Sequence, residues 1–443
     1  MLKATGIQSM KINLTVAMSS IILAILTHPG FAQFRIETEM RPRLELRDGY
    51  SKLSKTGATP AAFVSQRTRL GVRHNQSHFN YALVIQDVRV WGDEQLYSST
   101  GVFGDEASLD VHEAWVELLL KKHALKIGRQ IFNYHDDRIL SVRNWNQNSI
   151  TYDALLYRFS EDDWQFHAAL SLNNEKSNTF GNVYPAGKMK TLNFLYLQKE
   201  FPFHVKSSFY IIASGFAAND TSEVIYLRGT YGGYTEYAYK NTKAALSAYY
   251  QNGRNKQGQK VSAYLLSADA WQRFASISAG GGMVYISGQD GIKQNAGDQS
   301  TDHLFDILYG ARHKYYGFMD YFSNIPASTK NGGLVDMYAG SQWFYSKGSF
   351  LKLDLHRFWL QNNVADPDNP GRALSKALGT EIDLTFRQAL SDGFRVDGGY
   401  SVVLPESSLE IIQGVGKGGS KRSQWLWAML SFNYRLFPEK SAP

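Results

Sequence analysis

The sequence contains no cysteine among its 443 residues. Disulfide bonds, thiolate metal sites, a cysteine nucleophile and a lipid-modified N-terminal cysteine are therefore all excluded. Beyond the N-terminal segment there is no run of about 18 apolar residues, which excludes an ordinary transmembrane helix. Neither sign of charge dominates, with 47 Lys and Arg against 40 Asp and Glu. Such a balance argues against a nucleic-acid-binding protein, in which basic residues cluster heavily.

The N-terminal segment has the features of a secretory signal peptide. Lys3 and Lys11 precede a mainly apolar stretch at 12–26, and Ala32 ends a small-x-small cleavage site. An uncleaved membrane anchor is the alternative, which the shortness of the apolar stretch and its polar residues disfavour. We therefore predict a signal peptide at 1–32 and a single mature domain at 33–443, whose net charge is +5.

Strict alternation of charge marks the segment that follows, 34–47. Every odd position is charged, and the even positions are almost all apolar. Successive side chains of a β-strand point to opposite faces, whereas a helix would spread these charges around its circumference. The pattern predicts a strand with one charged and one apolar face. The charged positions are Arg35, Glu37, Glu39, Arg41, Arg43, Glu45 and Arg47.

The same alternation recurs near the C-terminus, at 349–359, 379–388 and 425–437. A β-sandwich in water and a barrel in lipid both alternate in this way. The cost of placing arginine in lipid shows which face meets water, because an Arg on the lipid side near the midplane costs about 2–4 kcal/mol. The four Arg of the first strand must therefore face an aqueous interior. Pro42 lacks an N–H, so it predicts a bulge or a strand that extends beyond the membrane.

The connections between strands alternate in length over most of the chain, as in outer-membrane barrels with short periplasmic turns and long extracellular loops. We therefore predict an all-β fold, a transmembrane antiparallel β-barrel of about 18 strands with a channel and both termini in the periplasm. The region 222–252 fits either one strand or two. Long loops are predicted near 48–61, 92–108, 132–148, 174–189, 287–303, 361–377 and 405–422, and short turns near 74–77, 121–123, 160–163, 200–203, 346–349 and 390–393.

Two stretches add a more specific pattern, "LKIGRQIFNYHDDRILSVRNWNQNSITYDAL" (125–155) and "FDILYGARHKYYGFMDYF" (305–322), and "QDVRVWG" (86–92) precedes them. They resemble the alginate export family of outer-membrane β-barrels, whose pattern runs Gly-Arg-Gln, Tyr-Gly-Asp-x-Arg, a Trp and a terminal Asp. The sequence departs from this pattern at His135-Asp136 and in lacking Gly-Arg before the final Asp. The matching residues are Gly128, Arg129, Gln130, Tyr134, Asp137, Arg138, Trp145 and Asp153.

The resemblance implies an arginine-rich conduit for an acidic polysaccharide. Strand alternation separately predicts a basic patch on the lumen wall of the first two strands. Counted over the clearest strands, the lumen-facing charges sum to only +2, so the predicted anion preference is local. The predicted solute-contacting residues of the wall are Arg35, Arg41, Arg43, Arg47, Arg67, Arg69 and Arg73.

A second group of candidate residues lies in the 125–155 stretch. On one interpretation they form a constriction network on a loop folded into the pore, because charge-lined constrictions are common in channels. On the other they form a loop-tethering salt bridge outside the lumen, because exposed ion pairs are commoner still. These residues are Arg129, Asp136, Asp137, Arg138 and Arg143.

Together these features predict a passive channel in the outer membrane of a Gram-negative bacterium, passing an alginate-like anionic polysaccharide or another anionic solute. A general or sugar porin, a hydrolase embedded in the barrel and a surface adhesin are the alternatives. No enzymatic activity, cofactor or metal is predicted, since "HEAWVE" (112–117) lacks the second His of a zinc-protease helix and alternates as a strand. The predicted partners are the anionic solute and outer-membrane lipid, without nucleic acid, and a periplasmic export partner is left open.

Overall fold

The computed structural model describes residues 34–92, 109–292 and 301–436. The predicted signal peptide lies outside the described residues, as do parts of the predicted loops at 92–108 and 287–303. The described strands are β1 (Phe34–Asp48), β2 (Ala61–Asn75), β3 (Phe79–Val90), β4 (Leu109–Leu120), β5 (His123–Gln130), β6 (Tyr152–Glu161), β7 (Trp164–Leu170), β8 (Met189–Phe201), β9 (Val205–Ala217), β10 (Ile225–Tyr239), β11 (Thr242–Gly253), β12 (Lys260–Val261), β13 (Ala263–Phe274), β14 (Ile277–Ile286), β15 (Thr301–Asp302), β16 (Leu334–Ser346), β17 (Ser349–Trp359), β18 (Ala377–Ser391), β19 (Phe394–Pro405) and β20 (Ser423–Leu436).

Eighteen of these strands form one sheet, and the two-residue strands β12 and β15 pair separately. Each long strand is antiparallel to its neighbours in the chain, and β20 pairs with β1. The sheet therefore closes on itself, which removes every unpaired edge. This confirms the predicted barrel of about 18 strands. The uncertain region 222–252 contains two strands, β10 and β11, joined by a tight turn.

Alternation along β1 separates an outer from an inner face. Met40 and Leu44 are each 44% exposed, whereas Arg41 is 4% and Glu45 1% exposed. Exposed leucines and aromatics continue on the same outward parity along β4, β13 and β20. The apolar row therefore faces lipid and the charged row faces the lumen, as the cost of burying arginine in lipid requires.

Pro42 does not form the predicted bulge. Pairing of β1 with β20 stops at Met40, opposite Phe432, and resumes in the same register at Arg43, opposite Met429. On its other side Pro42 keeps its place in the ladder with β2. Because Pro42 has no N–H, the pairing between β1 and β20 is interrupted at two positions, and the register is unchanged.

The connections sort by length, as predicted. The end of the barrel that carries both termini has tight turns at 76–78, 121–122, 162–163, 202–204, 240–241, 275–276, 347–348 and 392–393. At the opposite end the connections span 49–60, 91–108, 131–151, 171–188, 218–224, 254–262, 287–333, 360–376 and 406–422. They include a 3₁₀ helix (Arg312–Lys314), α1 (Ile325–Ser328) and α2 (Ser407–Ile412). No helix in the described ranges has the length and apolarity needed to cross a membrane.

The packed core lies inside the barrel rather than between layers. It is built by two long connections that fold into the lumen, here termed the first inward segment (131–151) and the second inward segment (303–333). Phe132, Ile139 and Leu140 of the first and Phe305, Met319 and Phe322 of the second are almost fully buried. Their apolar side chains gain by leaving water in the same way as those of a soluble core.

The two inward segments are tied to each other. Leu140 and Tyr309 form a parallel bridge, in which Tyr309 N donates to Ile139 O at 3.1 Å and Ser141 N donates to Tyr309 O at 3.2 Å. Ala311 N of the second segment donates to Asp137 O of the first segment at 2.7 Å. The lumen therefore contains a hydrogen-bonded partition that both segments build together.

Candidate functional site

Arg41 and Arg43 of β1 hold the first inward segment by its backbone. Arg41 Nη1 donates to Asn144 O at 2.7 Å, and its Nε and Nη2 donate to Gln147 Oε1 at 3.1 and 2.9 Å. Arg43 Nη1 donates to Trp145 O at 2.9 Å. Both guanidinium groups are buried. Most guanidinium N–H groups of these two arginines, which strand alternation directs into the lumen, therefore donate hydrogen bonds to the protein itself.

Arg67 and Arg69 of β2 are also engaged. Arg67 Nη2 donates to Asn144 Oδ1 at 2.9 Å and forms an ion pair with Glu39. Arg69 donates twice to Gln86 Oε1, at 3.1 and 3.0 Å. These contacts fix the wall and the first inward segment to each other. Direct contact of these two arginines with solute stays a prediction.

The remaining wall arginines lie nearer the ends of their strands. Arg35 and Arg73 share Glu37, with N–O distances of 2.8 and 2.9 Å. The guanidinium carbon of Arg47 lies 4.2 Å from the ring centre of Tyr50, in cation–π geometry. All three face inwards, and each already has a partner in the wall or at its rim.

The predicted charge network at 136–138 lies inside the lumen, on the first inward segment. Asp136 accepts a hydrogen bond from Ser247 Oγ at 2.8 Å and lies 3.7 Å from Arg138 Nε. Asp137 lies 2.9 Å from Lys314 Nζ on the second inward segment. The salt bridges tether the loop, as in the interpretation that placed it outside the lumen. The loop nevertheless lies in the pore, as in the interpretation that predicted a constriction. Their contact with solute stays a prediction.

Arg143 joins the two inward segments. Its Nε donates to Gly310 O at 2.9 Å and its Nη2 to Leu308 O at 2.8 Å. Burial, assisted by the neighbouring positive charge of Arg312, lowers the pKa of Arg143 to about 10.

Arg129 is not in the pore, and its predicted place there is wrong. It shares the outward parity of Ile127, which is 61% exposed, and donates to both carboxylate oxygens of Asp153 at 3.0 and 2.9 Å. Gly128 before it has φ of 120°, and a Cβ there would lie 2.2 Å from Ala114 O. The family-like motif is thus structural here, with glycine for close backbone approach and a bidentate pair outside.

An aromatic cluster that sequence reasoning missed connects both inward segments to β20. The Trp145 ring stacks on His313 at 4.2 Å between centroids and meets Trp427 edge-on at 4.9 Å. His313 stacks in turn on Phe318 at 5.1 Å. Stacked and edge-on pairs of this kind are worth about 0.5–1.5 kcal/mol each beyond the area they bury. No sequence spacing links these residues, because they come from three separate connections and strands.

A cavity of about 690 Å³, here termed the basic cavity, borders both inward segments and the wall of β17 to β20. Its Lys and Arg outnumber its acids by seven to three. The charged residues are Arg41, Arg143, Arg312, Lys314, Lys352, Arg387 and Arg395, with Asp137, Asp320 and Asp397. The cavity is therefore an electropositive space within the lumen.

Three of these cations are the least committed to the protein. Arg312 forms no ion pair with any residue of the described ranges, and its one hydrogen bond, to Leu308 O, is long at 3.4 Å. Arg387 and Arg395 both pair with the single carboxylate of Asp397, at 2.5 and 2.9 Å. The two arginines meet Asp397 because β18 and β19 form a hairpin across the tight turn at 392–393. The sequence predicted this turn, but summing the charges over the strands hid the pairing.

The comparisons with known proteins bear on the fold and the family. The alginate export family model matches residues 33–176. This range covers β1 to β7 and the first inward segment, so the resemblance to alginate export proteins is confirmed there, while 305–322 lies outside it. No curated protein sequence matches the chain.

Solved outer-membrane proteins share the architecture at low identity. OccAB4 of Acinetobacter baumannii is 9% identical, with 91% of this chain and 98% of that chain covered and a TM-score of 0.59. OccK9 (OpdG) of Pseudomonas aeruginosa is 11% identical, with 92% and 100% covered and a TM-score of 0.61. OpdK of P. aeruginosa, solved with vanillate, is 9% identical, with 91% and 99% covered and a TM-score of 0.58.

Fold and family match agree on the class of protein. The alginate-export-like segment builds the first inward segment and the wall that holds it, and the closed barrel exposes an apolar surface to lipid. The chain is an outer-membrane β-barrel channel for solutes. The matched family and the shared fold are those of transport channels rather than of enzymes.

Proposed function

We propose that this channel passes solutes that carry carboxylate groups, with an acidic polysaccharide of the alginate type as the leading candidate. The observation that carries the proposal is the excess of cations in the basic cavity, together with the uncommitted Arg312. A solute carboxylate between Arg143 and Arg312 would offset the repulsion between the two guanidinium groups, which adds to the effect of burial in lowering the pKa of Arg143.

Carboxylates suit these cations because the planar guanidinium group binds both carboxylate oxygens at once. Arg387 and Arg395 already share Asp397, so a passing carboxylate must compete with that side chain. Competition keeps the binding shallow, and a conduit has to release what it binds. The vanillate in the OpdK structure is likewise a carboxylate, which supports the same solute class.

The test is a triple variant, Arg312→Gln, Arg387→Gln and Arg395→Gln, measured in planar bilayers. We expect ion selectivity to shift towards cations, and block by an oligogalacturonate to weaken by about tenfold, because three attractive charges are lost. The loss should be larger at low salt than at high salt, because salt screens exposed charges.

A matched control removes the same charge away from the lumen. Lys121→Gln, Arg129→Gln and Lys347→Gln lie in turns and on the outer surface, and should leave selectivity and block unchanged. A folded triple variant with the selectivity of the parent protein would overturn the proposal. If the triple variant does not insert, Arg312→Gln alone gives the same test, because that side chain forms no ion pair within the described residues.

A small carboxylate rather than a polymer is the second candidate. The observation that favours it is the partition built by the two inward segments, which fills part of the lumen. A series of galacturonate oligomers separates the candidates. Block times that lengthen with each added sugar support the polymer, and equal block by the monomer and the oligomers supports the small solute.

A further inference from the structure

A second cavity, here termed the acidic cavity, lies beside the basic cavity and has the opposite charge. Its volume is about 390 Å³, and the two cavities share Lys314, Phe318 and Lys352. Five carboxylates line it, with five tyrosine and tryptophan rings between them. We propose that the acidic cavity binds small organic cations that carry a protonated amine.

Pairing inside the acidic cavity leaves a net negative charge. Three of its five carboxylates have cationic or histidine partners: Asp136 with Arg138 at 3.7 Å, Asp336 with His356 at 3.0 Å, and Asp354 with Lys352 at 2.7 Å. The other lining lysine, Lys314, pairs with Asp137 at 2.9 Å.

Glu236 and Asp269 remain without an ion-pair partner in the described part of the chain. Glu236 accepts a hydrogen bond from Tyr234 at 2.9 Å. Asp269 accepts one from Trp271 and is attracted by the positive charge of Arg138, but it forms no ion pair with that side chain. Partly buried charges of one sign are costly unless an opposite charge joins them. The ligand that this cavity lacks is therefore a cation.

A side chain of the protein already shows how an ammonium group binds in this space. Lys352 Nζ lies 2.7 Å from Asp354 Oδ2 and 5.9 Å from the ring centre of Trp271. A carboxylate on one side and an aromatic face on another are what a cationic amine prefers.

The strand register explains why the cavity exists. Glu236, Ala245, Asp269, Gly282 and Tyr338 are successive neighbours across β10, β11, β13, β14 and β16. The two acids therefore stand two strands apart, about 10 Å, with a small residue between them. Ala245 leaves the space that a larger side chain would fill, and Trp271 and Tyr338 enclose it. Room for a small ammonium compound is the result.

The experiment measures block of the anion current in planar bilayers by 1,4-diaminobutane, with the uncharged 1,4-butanediol as its neutral analogue. We expect the diamine to block and the diol not to. The double variant Glu236→Gln and Asp269→Asn should weaken block by about tenfold or more, because both unpaired charges are lost. Block by galacturonate, which depends on the basic cavity, should persist in this variant.

Controls separate the site from general charge effects and from misfolding. Glu161→Gln with Glu200→Gln removes the same charge at the tight turns and should leave diamine block intact. Ala245→Phe fills the acidic cavity without changing any charge and should abolish diamine block. Diamine block that survives in both the double variant and Ala245→Phe, or equal block by the diol, would overturn the proposal. Because galacturonate block is scored separately, failure here is distinguishable from failure of the anion-channel proposal.

Discussion

At the scale of single residues, the arginines of this channel divide into anchors and cations with few or shared partners. Arg41, Arg43 and Arg67 are buried and donate hydrogen bonds to the first inward segment. Arg312 and Arg395 lie in the basic cavity with few or shared partners. Residue type and strand face are the same in several of these cases. The difference lies in what the rest of the chain brings opposite each guanidinium group.

Replacing the anchor Arg41 by Gln should loosen the first inward segment without unfolding the barrel. Hydrogen bonds from a charged donor are worth about 1.5–3 kcal/mol each, and Arg41 donates to both Asn144 and Gln147. We expect a noisier single-channel current and faster amide exchange at 144–147. Arg35→Gln, on the same face of the same strand but near its end, is the control. A quiet current from Arg41→Gln would mean that the anchor is redundant.

At the scale of elements, the connections determine what the barrel does. The first and second inward segments build the partition and line both cavities. The connection at 406–422 instead remains at the barrel end, where α2 is tied to the chain that follows it. Glu410 accepts hydrogen bonds from Gly418 N at 2.6 Å and from Ser420 Oγ at 2.5 Å. One carboxylate therefore organises a glycine-rich loop.

The order of this loop should depend on pH through Glu410. Burial acts to raise its pKa, but the hydrogen bonds from Ser420 and Gly418 outweigh burial and leave the pKa below its usual 4.5. A lowered pKa means that the loop is stabilised above pH 4.5 and loses this stabilisation as pH falls through the lowered pKa. Pepsin cleavage within 406–422 of the detergent-solubilised protein should therefore accelerate over that range.

The matched variant for the pH experiment is Glu410→Gln. It cannot ionise, so its cleavage, measured relative to that of a reference pepsin substrate, should be fast and nearly independent of pH across the same window. Glu406→Gln, at the start of the same connection, keeps the Glu410 contacts and serves as control. Parallel pH profiles for the parent protein and Glu410→Gln would show that another group governs the loop.

At the scale of the whole molecule, the sorting of connections by length defines two unlike ends. The turns at the end with both termini are tight, and the opposite end carries every long connection of the described chain. Barrels of this class place the tight turns in the periplasm and the long connections outside the cell. The termini should therefore lie in the periplasm.

Protease accessibility on intact cells tests this orientation. A protease recognition sequence inserted in the connection at 360–376 should be cut on intact cells, because that loop is expected to face the medium. The same sequence inserted in the tight turn at 347–348 should be cut only after the outer membrane is permeabilised. The reverse pattern would invert the orientation. Both insertions should retain heat-modifiable migration on gels, which reports the folded barrel.

Most of the barrel could be predicted from the sequence, because its determinants are local or additive. The alternation at 34–47 and the cost of arginine in lipid together predicted the faces of β1, and the alternation of connection lengths predicted the two unlike ends of the barrel. The bulge predicted at Pro42 was wrong because a closed sheet tolerates one missing donor when both neighbouring strands hold the register.

The interior could be predicted only in part, because its contacts join residues far apart in the chain. The sequence left open whether Asp136 and Arg138 lie on a loop in the pore or outside it, and it could not show that Arg143 joins that loop to Leu308 and Gly310. Arg129 was misplaced because its motif was taken as functional, whereas Gly128 next to it serves close backbone packing. Both cavities depend on side chains from many strands, and no spacing in the sequence identifies them.

The anchors of the inward segments contact mostly carbonyl oxygens, namely those of Asn144, Trp145, Leu308 and Gly310. Every amino acid carries a carbonyl oxygen, so these contacts do not depend on side-chain identity, whereas the contacts to the side chains of Gln147 and Asn144 do. Mutation can therefore change the side chains that the segments present to passing solutes while the segments keep their position. We therefore expect single substitutions at other positions of the inward segments to change solute preference while the position of the segments is kept.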